Sequence, residues 1–193
     1  MKRVGKSVSS SNNITVITGL PRSGKSTLLQ TKIIPDYLKR GKTVLVVDVN
    51  REYKAARNLY VYDITDYSKA AEETDALIGF LIEHPRICDV IVFDESNVLF
   101  PKTNLLPNAK RLVNTNRHLG IDIIAVARRP VDINITISEL ANKRYVFRAT
   151  GYNDIQRLNN LKIGLGDRAY ALGQHDYIGV DNDSAETLHK GGK

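Results

Sequence analysis

From Ile14 onward, short apolar runs rich in β-branched residues alternate with longer segments of helical periodicity. Continuously apolar runs of this length are typical of strands covered on both faces, and their alternation with helices is typical of a parallel sheet. Strands are predicted at Ile14–Thr18, Thr43–Asp48, Tyr60–Asp63, Asp89–Asp94, Ile121–Ala127 and Arg144–Ala149. Helices are predicted at Lys25–Arg40, Asp66–Glu83, Asn108–Leu119 and Asp154–Leu161. The pattern predicts an α/β fold with a central, mostly parallel sheet and helices on both faces.

The two ends of the chain lack this pattern. Residues 1–13 are basic and then rich in Ser and Asn, with no apolar stretch of the kind a signal peptide needs, so a flexible basic arm is predicted. Two further strands are predicted at Ala169–Leu172 and Tyr177–Val180, and residues 181–193 as a mobile polar tail. Residues 14–180 are therefore expected to form a single domain.

Composition narrows the class of protein only slightly. The 193 residues contain 28 Lys and Arg against 21 Asp and Glu, a formal charge of +7, which suits an acidic partner and excludes neither an enzyme nor a nucleic-acid binder. One cysteine builds neither an internal disulfide nor a four-cysteine zinc site, which favours an intracellular protein. The apolar runs are far shorter than the roughly 18 residues of a membrane span, so no span is expected.

The strongest motif follows the first predicted strand. Gly19-Leu20-Pro21-Arg22-Ser23-Gly24-Lys25-Ser26 is a complete GxxxxGK[ST] placed before a long predicted helix, a context that a chance Gly/Ser turn lacks. Such a loop wraps phosphates with backbone N–H groups, Lys25 reaches the β- and γ-phosphates, and the Ser26 hydroxyl ligates Mg²⁺. The predicted nucleotide-binding residues are Gly19, Pro21, Arg22, Ser23, Gly24, Lys25, Ser26 and Thr27.

A second acidic motif ends the fourth predicted strand. Four apolar residues, Val90–Phe93, lead directly into Asp94 and Glu95, at the edge where ligands bind in parallel sheets. Alone, this pair reads as a strand-end cap and a surface charge. Beside a phosphate loop it predicts that Asp94 holds Mg²⁺ and that Glu95 orients and deprotonates the attacking water. Two adjacent carboxylates favour hydrolysis over phosphotransfer, which requires exclusion of water.

A third run extends from Asn114 to Pro130: Arg117 closes a helix, a buried strand follows, and Arg128-Arg129-Pro130 ends that strand. With the two nucleotide motifs, it resembles the FtsK–HerA superfamily of DNA-pumping ATPases, most closely the genome-packaging ATPases of icosahedral viruses with internal membranes. The resemblance spans residues 14–161. It implies a RecA-like P-loop NTPase fold of the ASCE type, ATP and Mg²⁺ as cofactors, a pentameric or hexameric homo-oligomeric ring and double-stranded DNA as the cargo. It further implies capsid or membrane-associated vertex proteins as partners, and the host cytoplasm or a virion's packaging vertex as the location.

The resemblance also suggests roles for the arginines. Arg117 would be an arginine finger acting on a neighbouring subunit's nucleotide, or else a charge that compensates the helix dipole. Arg128 stands where the family's sensor Gln is usual, and either contacts phosphate or faces DNA. Arg129 is a finger, a sensor or a surface residue. Asp48, with Glu52 and Tyr53, resembles the family's acidic and aromatic patch after a strand.

The remaining basic residues are candidates for a nonspecific grip on the DNA backbone, with solvated surface charge as the alternative. They are Lys102, Lys110, Arg111, Lys143 and Arg144, with Lys2, Arg3 and Lys6 in the arm.

Other functions stay open at this point. A plasmid or conjugative DNA pump would share every motif. A thymidine-kinase-like nucleoside kinase would share the phosphate loop and an Asp-Glu strand followed by Phe100-Pro101, but such enzymes usually carry a four-cysteine zinc lid. Glu95 argues against a non-enzymatic nucleotide switch, and the missing span argues against a membrane-anchored phage-assembly ATPase.

Overall fold

The computed structural model describes residues 13–181 and 186–191. Its strands are β1 (Ile14–Thr18), β2 (Val44–Asp48), β3 (Leu59–Asp63), β4 (Val90–Phe93), β5 (Asp122–Ala127), β6 (Lys143–Phe147), β7 (Tyr177–Asp181) and β8 (Glu186–His189). In the described residues they form a single sheet with the order β3-β2-β4-β5-β1-β6-β7-β8. Strands β1 to β6 run parallel to one another, whereas β7 pairs antiparallel with both β6 and β8.

Helices connect the parallel strands. The helix after β1 is continuous over residues 25–39, with a π-helical turn at Leu29–Ile33. The helical elements are α1 (Lys25–Leu28), α2 (Ile34–Lys39), α3 (Ala70–Glu83), α4 (Ser96–Leu99), α5 (Pro107–Leu119), α6 (Ile135–Leu140), α7 (Tyr152–Leu161) and α8 (Leu165–Tyr170). Gly120 ends α5 with a φ of 73°, a left-handed conformation that glycine adopts without a Cβ clash.

The core lies on both faces of the sheet. Successive residues of a strand point to opposite faces, and the buried residues divide accordingly. Ile91 and Phe93 of β4 pack with α3 and α5 on one face, whereas Val90 and Val92 pack with residues of α1 and α2 on the other. A third cluster joins α7 and α8 to β6 and β7. The predicted α/β class, with a mostly parallel sheet flanked by helices, is confirmed.

Two predictions near the end of the chain are wrong. Ala169–Leu172 is not a strand, because Ala169 lies within α8 and is buried against α7. A short apolar run is compatible with either element, and here Ala169 and Leu172 are buried in the cluster that also contains residues of α7, β6 and β7. Residues 181–193 are not simply a tail, because Glu186–His189 pairs with β7 as β8.

The predicted arm, with Lys2, Arg3 and Lys6, lies outside the described residues apart from Asn13. Asn13 belongs to the folded domain, since its N–H donates to Asp122 Oδ1 at 2.8 Å and its carbonyl accepts from Ile123 N at 2.9 Å. In the described part of the chain, no helix is both long and apolar enough to cross a membrane.

Candidate nucleotide site

Strand order brings the two nucleotide motifs to one edge of the sheet. β5 lies between β1, which leads into the phosphate loop, and β4, which leads into Asp94. The three strands are parallel, so their carboxyl ends meet. Thr18 pairs in register with Ala127, which places Gly19 and Arg128 side by side at the next position. Phe93 pairs with Ala125 on the other side of β5. The site is therefore assembled from three strand ends.

The phosphate loop is anchored on β6. Gly19 approaches this strand so closely that a Cβ atom at residue 19 would overlap Phe147 Cβ. The Leu20 N–H donates to the Arg148 carbonyl at 3.1 Å. Gly24, with a φ of 104°, turns the chain into α1. The glycines thus let the backbone turn sharply against a packed strand, as the motif requires.

Lys25 is held inside this loop. Its Nζ donates to the carbonyls of Gly19 at 2.8 Å and Leu20 at 2.9 Å. Burial lowers the pKa of Lys25, and the nearby carboxylates of Glu95 and Asp94 partly oppose that shift. A phosphate bound in the loop would supply the anionic partner that a half-buried ammonium lacks.

The Ser23 hydroxyl is a second polar group that suits a phosphate. Its oxygen is buried and has no hydrogen-bond partner among the described residues. An unmatched donor of this kind is costly in a folded protein. A phosphate oxygen in the loop would give it an acceptor.

Asp94 is the most perturbed carboxyl group of the site. Its side chain is 6% exposed, and burial raises its pKa to about 6, with Glu95 and Glu52 adding to the shift. Hydrogen bonds oppose this shift: the Tyr53 hydroxyl donates to Oδ2 at 2.9 Å, and the Glu95 N–H donates to Oδ1 at 3.1 Å. A buried carboxylate at this strand end would be stabilised by a cation.

Tyr53 is itself fixed by a buried carboxylate. Asp48, at the end of β2, is 0% exposed and accepts N–H bonds from Asn50 at 3.0 Å and Tyr53 at 2.8 Å. These bonds shape the loop after β2 so that the phenol reaches Asp94. Burial raises the pKa of Tyr53, with Asp94 adding to the shift, so the phenol stays protonated and acts as a donor.

The donor set fits Mg²⁺ bound together with a nucleotide. Among the described residues, no group of three or more His, Cys, Asp or Glu side chains could hold a metal alone. Mg²⁺ commonly takes one or two protein oxygens and completes its octahedron with phosphates and water. Asp94 and the Ser26 hydroxyl are the oxygens that the two motifs supply for it.

Glu95 and Arg128 form an ion pair across the site. Arg128 Nε lies 2.9 Å from Glu95 Oε1, and the glutamate has a left-handed backbone with φ 59° and ψ 49°. The Glu95 hydrogen bond and charge raise the pKa of Arg128, which stays protonated. Arg128 thus faces the predicted catalytic base, at the strand end where it was predicted to contact either phosphate or DNA.

The other two arginines lie away from this centre. Arg129 Nε binds Asp154 Oδ2 at 3.0 Å, and Asp154 is buried at the start of α7, so this arginine ties β5 to α7. Arg117 is exposed at the end of α5. It lines a cavity with Ile14, the first residue of β1, and Asn142, the residue before β6. It therefore lies at the opposite edge of the sheet from its own phosphate loop.

The predicted DNA-binding residues differ in exposure. Lys110 and Arg111 are exposed on the first turns of α5. Lys102 pairs with Asp132 at 3.0 Å, and the Lys143 ammonium lies 5.4 Å from the centre of the Tyr145 ring. Arg144 is half-buried and donates from Nη2 to the Ser138 carbonyl at 2.7 Å, which gives it a structural role.

A cleft of about 360 Å³ opens beside the loop, and sequence reasoning missed it. Gly24 and Thr27 form one wall, and Phe147, His175 and Tyr177 form the other. The Tyr177 ring packs against Phe147, with centroids 5.0 Å apart, and stacks on His189 of β8 at 4.4 Å. Lys190 and Gly191, which complete the rim, are bound by the buried Asp176. In the sequence, only the aromatic residues of the last strands, Phe147 and Tyr177, indicated such a cleft.

The fold and the site define a class of protein. A GxxxxGKS loop after β1 and an Asp-Glu pair after β4, with β5 inserted between them, characterise a P-loop NTPase of the ASCE type. The chain belongs to the zonular occludens toxin (Zot) family, whose model matches residues 13–176. No curated protein matches the sequence.

Solved structures support the same class. The genome-packaging NTPase B204 of Sulfolobus turreted icosahedral virus 2, in complex with AMPPCP, superposes with a TM-score of 0.82 at 21% identity over 94% of this chain and 98% of that one. The N-terminal domain of zonular occludens toxin from Neisseria meningitidis gives 0.61 at 17%, over 94% and 95%. The pCW3 conjugation coupling protein TcpA gives 0.59 at 18%, over 91% and 59%. The predicted likeness to the genome-packaging ATPases is therefore found in the fold.

Proposed function

We propose that this protein is a Mg²⁺-dependent ATPase that works as a homo-oligomeric ring and pumps double-stranded DNA into a viral capsid. The observation that supports it is the meeting of Lys25, Asp94, Glu95 and Arg128 at one sheet edge, where they could act together on a bound triphosphate. The genome-packaging NTPase B204 shares the fold over nearly all of both chains.

Each group has a distinct task in hydrolysis. The loop N–H groups and Lys25 bind the phosphates, and the cleft beside Thr27 receives the nucleoside next to the packed rings of Phe147 and Tyr177. Asp94 and Ser26 would hold Mg²⁺, which would neutralise phosphate charge when bound. Glu95 accepts a proton from water as the water oxygen bonds to the γ-phosphorus, and ADP departs with the electrons of the broken bond.

The first experiment tests the nucleotide site. Lys25→Ala should abolish phosphate release from ATP, because the ammonium that meets the phosphates is lost. Lys39→Ala, an exposed lysine at the end of the same helix, is the matched control and should retain activity. Phosphate release that survives Lys25→Ala would overturn the site.

The ring and its finger are tested with mixed subunits. Arg117 lies at the edge of the sheet away from its own loop, so a finger role requires a neighbouring chain. Subunits with Arg117→Ala keep an intact loop and Glu95, whereas Glu95→Gln subunits keep Arg117. Mixing the two inactive variants should restore activity at interfaces that combine the intact halves. Absence of any rescue would count against the finger.

The DNA cargo requires its own test. Double-stranded DNA should accelerate phosphate release, and Lys110→Ala with Arg111→Ala should weaken DNA binding and reduce its salt dependence. ATP-dependent phosphorylation of a nucleoside, without DNA stimulation, would instead identify the thymidine-kinase-like alternative.

A plasmid or conjugative pump is a second candidate, favoured by the likeness to the conjugation coupling protein TcpA. The two pumps differ in their partners. Binding to purified capsid vertex protein supports packaging, and loss of plasmid transfer on deletion supports conjugation.

A further inference from the structure

The ion pair between Arg128 and Glu95 joins the predicted catalytic base to an arginine at the end of the neighbouring strand. The bond uses Arg128 Nε, one of the five N–H donors of a guanidinium, and Glu95 Oε1 at 2.9 Å. The glutamate side chain is 15% exposed, whereas the arginine side chain is 54% exposed. The catalytic carboxylate is therefore held by a partner that remains accessible from solvent.

Glu95 is held in an unusual backbone conformation as well. Its φ of 59° and ψ of 49° are left-handed, which a non-glycine residue adopts at an energetic cost and which often occurs at functional sites. Its N–H is bonded to the preceding side chain, Asp94 Oδ1. Arg128 thus fixes the orientation of a carboxylate whose backbone is already constrained.

Arg128 is also placed to meet a phosphate. Thr18 pairs with Ala127, so Arg128 stands beside the first residue of the phosphate loop on the adjacent strand. Its charge is close enough to Lys25 to lower the pKa of that ammonium. A planar guanidinium binds a phosphate as readily as a carboxylate, and the γ-phosphate of ATP carries more negative charge than Glu95.

We propose that Arg128 exchanges partners when ATP binds: it leaves Glu95 for the γ-phosphate, and the freed carboxylate then turns to the attacking water. ADP has no γ-phosphate, so with ADP the pair stays closed. Arg128 is in this view a positioning residue that makes the base available only in the triphosphate state. The inference rests on the proposed nucleotide site.

The exchange predicts a coupling in nucleotide affinity. Glu95 competes with the γ-phosphate for Arg128, so Glu95→Gln should tighten binding of a non-hydrolysable ATP analogue. A partly exposed ion pair is worth about a twofold to fivefold change in affinity. In an Arg128→Ala background the competition is absent, so Glu95→Gln should leave the affinity unchanged. ADP affinity should be the same in all four proteins.

The experiment is this double-mutant cycle, measured by calorimetry with the analogue and with ADP. Arg86→Ala, an exposed arginine ahead of β4 at the other sheet edge, controls for net charge and should leave the Glu95→Gln effect intact. Arg128→Lys keeps the charge without the planar fork and should show a reduced coupling. Thermal unfolding identifies any variant that fails to fold, and Arg128→Gln then replaces Arg128→Ala in the cycle.

The outcomes separate the exchange from the nucleotide site. If Glu95→Gln tightens analogue binding equally with and without Arg128, the glutamate repels phosphate directly and the exchange is overturned. If Glu95→Gln has no effect in either background, the exchange is likewise overturned. If neither nucleotide binds the wild type, or Lys25→Ala does not weaken binding, the proposed function itself fails.

Discussion

The buried carboxyl of Asp94 should impose a measurable, pH-dependent cost on the folded protein without metal and nucleotide. Folding raises its pKa from an ordinary value of 3.8 to about 6, chiefly through burial. A raised pKa means that the native state binds more protons than the unfolded state between these values, so stability falls as the pH rises through this window. The full penalty at high pH is about 3 kcal/mol.

Asp94→Asn removes this titration and is the test. The substitution also changes hydrogen bonds with Tyr53, but that contribution does not depend on pH in this range. The informative quantity is therefore the free energy of unfolding of the variant minus that of the wild type. Between about pH 4.5 and pH 8 this difference should grow by about 2 kcal/mol in favour of the variant.

Urea unfolding, with EDTA present and nucleotide absent, measures the difference at several pH values. Asp63→Asn is the matched control for the substitution itself, because Asp63 is an exposed aspartate that ends β3 at the same edge of the sheet. A flat difference for Asp94→Asn would refute the reasoning. It would mean that water or the Tyr53 hydroxyl compensates the buried charge fully.

Three further predictions test the packing around the site. In Gly19→Ala the new Cβ should overlap Phe147 and weaken nucleotide binding at least about tenfold, as measured by calorimetry. Circular dichroism should show that the variant stays folded. An unchanged affinity would contradict the tight approach of the loop to β6. Cys88 is 3% exposed, and burial raises its pKa to about 12. Iodoacetamide at pH 8 should therefore modify Cys88 at least about 100-fold more slowly in the native protein than in urea. Equal rates of modification would disprove its burial. Gly166→Ala should lower the free energy of unfolding by about 1–3 kcal/mol, because the new Cβ would overlap the Ile155 carbonyl. Urea unfolding measures this change. An unchanged midpoint of the urea transition would show that α8 can move off α7.

Local sequence was sufficient for the six parallel strands and for the long helices that follow β1, β3 and β4, but not for the short helix α6 between β5 and β6. Buried parallel strands must be apolar on both faces, so runs such as Val44–Asp48 stand out directly in the sequence. The end of a helix could also be predicted from sequence where a glycine closes the last turn, as at Gly120. The last strands and α8 were harder, because a short apolar segment satisfies either secondary structure until it meets its neighbours.

The residues of the site likewise divide into those that sequence motifs identified and those that only the fold brought together. The spacing of GxxxxGKS and the Asp-Glu pair after an apolar run predicts, from sequence alone, a phosphate site and a metal site. Those motifs are local because a loop and the residues next to it must wrap one ligand.

Only the tertiary structure decided what surrounds them. Tyr53 meets Asp94 across 41 positions, and Arg128 meets Glu95 across 33, because strand order places β2, β4 and β5 side by side. The cleft beside the loop likewise needs β7, β8 and the segment bound by Asp176 to come together. Sequence specifies contacts within an element, whereas contacts between strand ends depend on the order of strands in the sheet, which no local pattern encodes.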